Sequence, residues 1–174
     1  MVLLPLHKLL FMNYTEKDYK EARMVAVLAH SNQRYDEVFP YEKHLDDVVD
    51  VLKRFGFSGK YIIAGYLHDT IEDDALSYNK IKKHFGVEVA EIVYCVTDEL
   101  GRNRKEKKAK TLPKTASNPS AIIIKLADRI ANMEHGGKLD MYAEEHAEFK
   151  GALYHNTPED GKIMWNHIEI LLKK

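Results

Sequence analysis

The feature that most constrains this chain is an apolar run, residues 62–67, that passes directly into His68 and Asp69. The large apolar side chains of this run recur at helical spacing, which predicts a buried helix. Further acids follow about one helical turn later, at Glu72, Asp73 and Asp74. Groups that can bind a metal and transfer protons are therefore expected where a buried helix reaches the surface.

The rest of the chain carries the spacing of amphipathic helices and few strand signals. Helix starts are predicted at residues suited to the first turn, and glycines are predicted at several helix ends. The predicted starts are Thr15, Pro40, Ser58, Ser77, Asn118 and Thr157. The β-branched run 122–124 could form a strand, but the cap before it and the spacing after it favour a helix. The sequence thus predicts one all-α domain, a bundle of roughly seven to nine helices.

Composition places the chain among globular proteins without a nucleic-acid or membrane partner. Of the 174 residues, 45% are hydrophobic and 30% are charged, and the formal net charge is −1. A charge this small creates no field that would draw the protein to nucleic acid or to an anionic membrane. The single cysteine, Cys95, cannot form an internal disulfide, so we expect a reducing, cytoplasmic location.

We expect two parts along the chain, an N-terminal leader over residues 1–14 and one domain over residues 15–174. The leader is apolar but too short to cross a bilayer, and it carries no signal-peptide cleavage site. It is expected to be loosely ordered or packed on the domain. Met12 is an alternative native start, because Asn13 and Tyr14 lead directly into the first helix.

A histidine on the second predicted helix and an aspartate after a later buried run extend the cluster. His44 shares a helical face with apolar residues, so it is expected to face inward. Two imidazoles and two carboxylates suit Mn²⁺, Fe²⁺ or Zn²⁺ better than Ca²⁺ or a thiolate-preferring ion. Alone, an inward histidine is more often a hydrogen-bonded core residue than a ligand. The joint pattern favours a metal site made of His44, His68, Asp69 and Asp128.

The same residues resemble the signature of the HD phosphohydrolase superfamily. The stretch His68-Asp69-Thr70-Ile71-Glu72-Asp73, with Lys125-Leu126-Ala127-Asp128 and Asn132, is similar to the RelA/SpoT-type hydrolase branch. Two earlier segments resemble further motifs of that branch, Pro40-Tyr41-Glu42-Lys43-His44 and His30-Ser31-Asn32-Gln33-Arg34. The resemblance covers roughly residues 20–133. The combined pattern is specific, whereas a His-Asp pair alone would not be.

The resemblance implies an HD-domain helical bundle in which these histidines and aspartates hold one divalent metal ion. The metal is usually Mn²⁺ in this branch, and its members remove the 3′-pyrophosphate from guanosine tetra- and pentaphosphate alarmones. The implied partner is therefore a guanosine polyphosphate or a related nucleotide, and the oligomeric state is left open. The chain is too short to hold the synthetase and regulatory domains of bifunctional relatives, so alarmone synthesis is not expected.

Two acids and one amide are candidates for the chemistry beside the metal. Glu72 and Asp73 each lie four residues, about one helical turn, after a predicted metal ligand. We expect Glu72 to orient or deprotonate the attacking water and Asp73 to assist it. The alternative is that both acids only solvate a helix end. Asn132 either hydrogen-bonds the ribose or a phosphate, or is a polar residue at a helix terminus.

Candidate phosphate-binding residues are cationic. Arg34 is the first candidate, because a guanidinium binds phosphate through two parallel hydrogen bonds. Weaker candidates are Lys105, Lys108 and Arg129. The basic run 101–114 is either a solvated segment or an electropositive rim for a polyphosphate. It lacks the interleaved aromatic residues typical of a nucleic-acid-binding segment.

The chain departs from the RelA/SpoT-type pattern directly after Arg34. The branch continues with a lysine and a glycine-containing turn, whereas this chain has Tyr35-Asp36-Glu37-Val38-Phe39. The segment 134–155 also differs, and we expect its helix to pack rather than to form a lid. Two functions stay open beside alarmone hydrolysis. One is a general HD nucleotide phosphohydrolase or nucleotidase, and the other is a non-catalytic nucleotide-binding module.

Overall fold

The computed structural model describes residues 13–72 and 75–173. Asp73, which the sequence predicts to assist catalysis, lies outside this part of the chain, as do residues 1–12 of the predicted leader. Tyr14, at the end of that leader, is described, and its hydroxyl donates to the carbonyl oxygen of Phe85 at 3.0 Å.

Helices make up most of the described residues, which confirms the all-α prediction. In chain order they are α1 (Glu16–Ala29), α2 (Glu42–Arg54), α3 (Lys60–Leu67), α4 (Tyr78–Phe85), α5 (Val87–Val96), α6 (Arg104–Ala116), α7 (Pro119–His135), α8 (Leu139–Leu153) and α9 (Lys162–Leu171). A two-stranded antiparallel hairpin, β1 (Arg34–Tyr35) and β2 (Phe39–Pro40), lies between α1 and α2. Short 3₁₀ turns at Tyr154–Asn156 and Glu159–Gly161 connect α8 to α9.

Side-chain caps begin several of these helices where the sequence placed them. Thr15 and Asp18 form a reciprocal capping box at the start of α1. Ser77 accepts from the backbone N–H of Lys80 at the start of α4. Asn118 accepts from two backbone N–H groups of α7, whose first residue is a proline. The caps satisfy backbone donors that would otherwise lack a partner inside the helix.

Two predicted starts are wrong. Pro40 does not lie in the first turn of α2, because it pairs with Arg34 in the hairpin and α2 begins two residues later. Thr157 does not begin the last helix. Its hydroxyl donates to the carbonyl oxygen of Leu153 and accepts from the indole N–H of Trp165, so it is used within the core, and α9 begins at Lys162.

The central helix of the core is α7. It packs against α2, α3, α5, α6, α8 and α9. The run 122–124 is fully buried on it, as expected for a helix surrounded by other helices. Each buried aliphatic side chain contributes about 1.5–3 kcal/mol of transfer free energy. The burial of α7 therefore fixes the position of Asp128 and Asn132 relative to the neighbouring helices.

Close contact between α2 and α3 brings the two candidate histidines together. Gly65 on α3 faces Leu52 and Val49 on α2, and a Cβ at position 65 would lie 2.6 Å from Leu52 Cδ1. A Cβ at this position would therefore force the Leu52 and Val49 side chains to move. Within the described part of the chain, none of the helices combines the length and apolar character needed to cross a membrane.

Candidate metal centre and adjoining cavity

Four side chains from three segments meet at one point. His44 lies in the first turn of α2, Asp128 lies on α7, and His68 and Asp69 directly follow the last residue of α3. His44 and His68 are almost completely buried, whereas the two aspartates are partly exposed at 22% and 23% of their side-chain surface. The histidines therefore form the floor of the site and the carboxylates reach its open side.

The donor atoms lie within a few ångströms of one another. The Nε2 atoms of His44 and His68 are 3.3 Å apart. Asp128 Oδ1 lies 3.3 Å from His44 Nε2 and 3.8 Å from His68 Nε2. Asp69 Oδ2 lies 3.0 Å from His68 Nε2 and 3.8 Å from His44 Nε2. One atom each from His44, His68 and Asp128 lies within 4.8 Å of the other two.

A hydrogen bond determines which nitrogen of His68 is available to a metal. The ring atom Nδ1 lies 2.8 Å from the carbonyl oxygen of Gly65, which only accepts. Nδ1 must therefore carry a hydrogen, and in the neutral ring the lone pair lies on Nε2. Metal-binding histidines commonly make such a bond with their other nitrogen. This contact supports His68 as a ligand independently of the distances.

The site has an excess of negative groups once the histidines are neutral. Burial raises the pKa of Asp69, but His68, His44 and the hydroxyl of Tyr41, which donates to Oδ2, outweigh burial and lower it. Burial likewise opposes a low pKa at Asp128, yet contacts with His44 and His68 lower it. The carboxylates thus stay ionised. Two imidazole nitrogens and two carboxylate oxygens that converge in this way fit a divalent cation.

Without a cation, the histidine beside Asp69 holds a proton. Burial disfavours the charged form of His68, but the carboxylates of Asp69 and Asp128 outweigh it and raise the pKa of His68 to about 9. The proton and a metal ion compete for the same nitrogen.

A cavity of about 380 Å³ opens from this centre. One wall carries Glu72, Asp98 and Lys125. Lys125 Nζ lies 3.2 Å from Asp98 Oδ1, and the backbone N–H of Asp98 donates to Glu72 at 3.4 Å. Burial, followed by the charges of Asp98 and Asp69, raises the pKa of Glu72. Glu72 is thus a stronger base than an ordinary glutamate, and it lines the cavity beside the candidate metal centre.

A second wall is cationic but partly neutralised. Arg104 and Lys108 of α6 both pair with Glu145 of α8, Arg104 at 2.6 Å. Arg129 is 4% exposed, and its guanidinium lies over the rings of Phe149 and Tyr142, with its carbon 4.1 Å and 4.7 Å from the ring centres. One of its nitrogens, Nε, has no hydrogen-bond partner among residues 13–72 and 75–173. The helix expected to pack, α8, therefore packs and also supplies cavity-lining residues.

The structure gathers most of the predicted site residues around the cavity. Its lining includes Glu72, Lys108, Arg129 and Asn132 beside His44, Asp69 and Asp128. Two predicted phosphate-binding residues lie apart from it. Arg34 lines a smaller adjoining cavity of about 220 Å³, which also contacts Tyr35, Asn132, Lys138 and Tyr142. Lys105 is exposed on α6 and is not part of either lining.

Sequence reasoning missed several residues that line the cavity. They are Tyr35, Tyr41, Asp98, Arg104, Lys125, Lys138 and Tyr142. A signal existed for three of these residues, and one is Arg104, which lies in the basic run considered as an electropositive rim. Tyr41 lies within the motif that ends at His44, and Lys125 precedes Asp128 by three residues, so it shares that side of α7. The others come from distant segments, and only the packing brings them together.

The sequence of this chain is similar to one protein-family model and to several known proteins. A family model described as HD domain matches residues 22–157. A guanosine-3′,5′-bis(diphosphate) 3′-pyrophosphohydrolase from Aquifex aeolicus is 36% identical over 110 residues, 60% of this chain and 16% of that protein. The bifunctional (p)ppGpp synthase/hydrolase SpoT of Escherichia coli K12 is 35% identical over 130 residues, 71% of this chain and 18% of that protein. The chain thus spans less than a fifth of the length of these relatives.

Solved structures share the fold. One, described as a metazoan ortholog of SpoT that hydrolyzes ppGpp, is 24% identical with a TM-score of 0.72, over 90% of this chain and 96% of that chain. Another, from Listeria monocytogenes EGD-e, is 23% identical with a TM-score of 0.59, over 75% of this chain and 99% of that chain. These likenesses are evidence for the arrangement of the helices.

Proposed function

The chain belongs to the HD domain family, and from that premise we propose that it is a metal-dependent phosphohydrolase. Its proposed substrate is guanosine 3′,5′-bis(diphosphate), its pentaphosphate counterpart or a closely related nucleotide, from which it releases the 3′-pyrophosphate. The names of the pyrophosphohydrolase and SpoT relatives support the substrate. The single observation that carries the proposal is the convergence of His44, His68, Asp69 and Asp128 beside a cavity of about 380 Å³.

The family implies a divalent metal, and the donor set of this chain fits one. We propose Mn²⁺, with Fe²⁺ or Zn²⁺ as alternatives that the same nitrogen and oxygen donors accept. When bound, the ion would lower the pKa of a water molecule and stabilise developing negative charge on the phosphoryl oxygens. The four side chains would hold it, and Gly65 and Tyr41 orient two of them.

Glu72 is the proposed acceptor of the proton from the attacking water. It lies on the cavity wall next to the candidate metal ligands, and its raised pKa makes it a stronger base than an ordinary glutamate. Lys125 lies on the same wall and limits the repulsion between its neighbouring carboxylates. Asp73 stays a predicted assistant, on the spacing of the sequence alone.

The cationic wall is proposed to hold the phosphates that do not react. Lys108 and Arg129 face the cavity, and Arg104 lies beside them. Charge-assisted hydrogen bonds from such groups contribute about 1.5–3 kcal/mol each. Arg34 is proposed to act from the adjoining cavity, whereas the exposed position of Lys105 gives it a weaker claim. A nucleotide spanning both cavities would lie between the metal centre and these cations.

The test is hydrolysis by the purified protein loaded with Mn²⁺. It should release pyrophosphate from guanosine 3′,5′-bis(diphosphate), and His68→Asn should abolish the release. His84→Asn is the matched control, because His84 is exposed on α4, away from the metal centre. Absence of turnover with metal bound in the wild-type protein would reject this substrate.

One observation favours a general nucleotide phosphohydrolase as the second candidate. The hairpin places a tyrosine and an acid where the sequence pattern of the alarmone hydrolases has a cation. Neither Tyr35 nor Asp36 carries a positive charge that could bind a 3′-pyrophosphate. Both side chains are used within the protein, since Tyr35 donates to Asn132 and Asp36 pairs with His135 at 2.6 Å. A panel of nucleotides assayed for phosphate and for pyrophosphate separates the two candidates. Binding without hydrolysis under any divalent metal would instead indicate a non-catalytic module.

A further inference from the structure

A chain of hydrogen bonds runs from the hairpin to a candidate metal ligand. The hydroxyl of Tyr35 donates to Asn132 Oδ1 at 3.0 Å. Asn132 Nδ2 in turn donates to Asp128 Oδ1 at 2.7 Å and to the backbone oxygen of Asp128 at 3.0 Å. Asp128 Oδ1 is also the oxygen that faces His44. This series of hydrogen bonds therefore ends on Asp128 Oδ1, the atom that would contact the metal.

These hydrogen bonds can run in only one direction from donor to acceptor. An ionised carboxylate and a backbone carbonyl can only accept, so Asn132 must turn its amino group toward Asp128. Its carbonyl oxygen then needs a donor, and the hydroxyl of Tyr35 is in place to supply one. Without that donor the carbonyl oxygen of Asn132 would lose this partner on the cavity wall, and the amide would be held at one end only.

The position of Tyr35 is fixed independently of Asn132. It is 9% exposed and belongs to β1, where it pairs with Phe39. Its ring centre lies 5.0 Å from that of His44 and 4.4 Å from that of His135. The next residue, Asp36, pairs with His135 at 2.6 Å and ties the hairpin to the end of α7. One side chain thus contacts the ligand on α2 and reaches the ligand on α7 through its partner.

We propose that Tyr35 is a positioning residue that sets the metal affinity of the site by holding Asn132 against Asp128. The inference rests on the proposed function only in assuming that the metal bound here is the catalytic one. It also changes the role expected for Asn132, whose amide is occupied by protein groups rather than free for a ribose or phosphate. Tyr35, at which the sequence departs from the family pattern, therefore supports the metal centre.

The test is a double-mutant cycle read by metal affinity in the absence of nucleotide. Partners of metal ligands typically change metal affinity about 10- to 100-fold when they are removed. Tyr35→Phe keeps the ring and should raise the Kd for Mn²⁺ about tenfold, the low end of that range, in a competition assay with a metal-binding dye. In an Asn132→Ala background the same change should alter the Kd less than twofold, because the chain of bonds is already broken.

Tyr94→Phe is the control, since it removes a hydroxyl from an exposed side chain of α5 that lines neither of the two cavities. It should leave the Kd for Mn²⁺ unchanged. An unchanged Kd in Tyr35→Phe would overturn the proposal, and so would an equal effect in both backgrounds, which would indicate that the hydroxyl acts without Asn132. Failure of alarmone hydrolysis would reject the proposed function and leave this result standing, because no substrate enters the measurement.

Discussion

Gly65 lies so close to Leu52 that a Cβ on the glycine would stand 2.6 Å from Leu52 Cδ1. The carbonyl oxygen of the same Gly65 lies 2.8 Å from Nδ1 of His68. A single residue thus permits α2 and α3 to approach and orients one of the two histidines that this approach brings together. Stability and the metal centre are coupled at this point of the core.

Gly65→Ala should therefore destabilise the fold and weaken metal binding together. Overpacking of a filled core costs about 1–3 kcal/mol. The control is Gly151→Ala, since a Cβ at position 151 in α8 meets no atom within 4 Å. That change should be neutral or stabilising by about 0.5–1 kcal/mol, because alanine favours a helix over glycine. Urea unfolding and Mn²⁺ titration of both variants measure the free energy of unfolding and the metal affinity. If Gly65→Ala changed both quantities no more than Gly151→Ala does, the tight contact would be contradicted.

The raised pKa of His68 predicts how the metal-free protein responds to pH. A group with a pKa raised from 6.5 to about 9 on folding stabilises the fold fully below pH 6.5, and the contribution is lost as pH rises through 9. Unfolding free energy in chelator should therefore fall between pH 7 and pH 9.5. In the His68→Asn variant, the free energy of unfolding should decrease less over this pH range. Because a metal displaces the same proton, the affinity for Mn²⁺ should rise over the same range.

Glu72→Gln should remove the proton acceptor and leave the metal in place. Loss of a general base typically reduces kcat about 10²- to 10⁴-fold. Metal affinity should change little, because Glu72 lies on the cavity wall rather than among the donor atoms. Since the pKa of Glu72 is raised, the acidic limb of the wild-type kcat/KM profile should lie above the range of an ordinary glutamate. A variant that retains wild-type kcat would show that another group accepts the proton.

Lys108 and Lys105 offer a matched pair on one helix. Lys108 lines the cavity and pairs with Glu145, whereas Lys105 is exposed. Lys108→Met should raise KM for the nucleotide about 10- to 100-fold, as expected for a lost charge-assisted contact of about 1.5–3 kcal/mol. Lys105→Met should change KM less than twofold. Similar steady-state constants for the two variants would mean that the basic helix acts only through its overall charge.

Much of this site follows from spacing alone. The interval from His44 to the apolar residues of α2 predicts its inward orientation, and the buried runs before His68 and Asp128 predict that both are held by the core. The structure brings these residues together as expected. Their role as ligands stays a prediction until a metal is measured.

Other parts of the site depend on packing that no local pattern encodes. Tyr35 and Asn132 are 97 residues apart in sequence, and only the hairpin brings them into contact. The hairpin itself was not predicted, because its strands are two residues long and one contains Pro40. Within the basic run, the cations that face the cavity are those that meet Glu145 of α8, a partner more than thirty residues away. Lys105, which lies between them in sequence, carries the same charge, and no local signal distinguishes it.

Metal binding by the wild-type protein tests the central claim most directly. Equilibrium dialysis against Mn²⁺ should give one tightly bound ion per chain, and Asp128→Ala or His44→Ala should lose it while the helical content is retained. The control His84→Asn should bind one ion as the wild type does. Wild-type protein that binds no divalent cation, or variants that bind it as tightly, would contradict a metal centre built from these side chains.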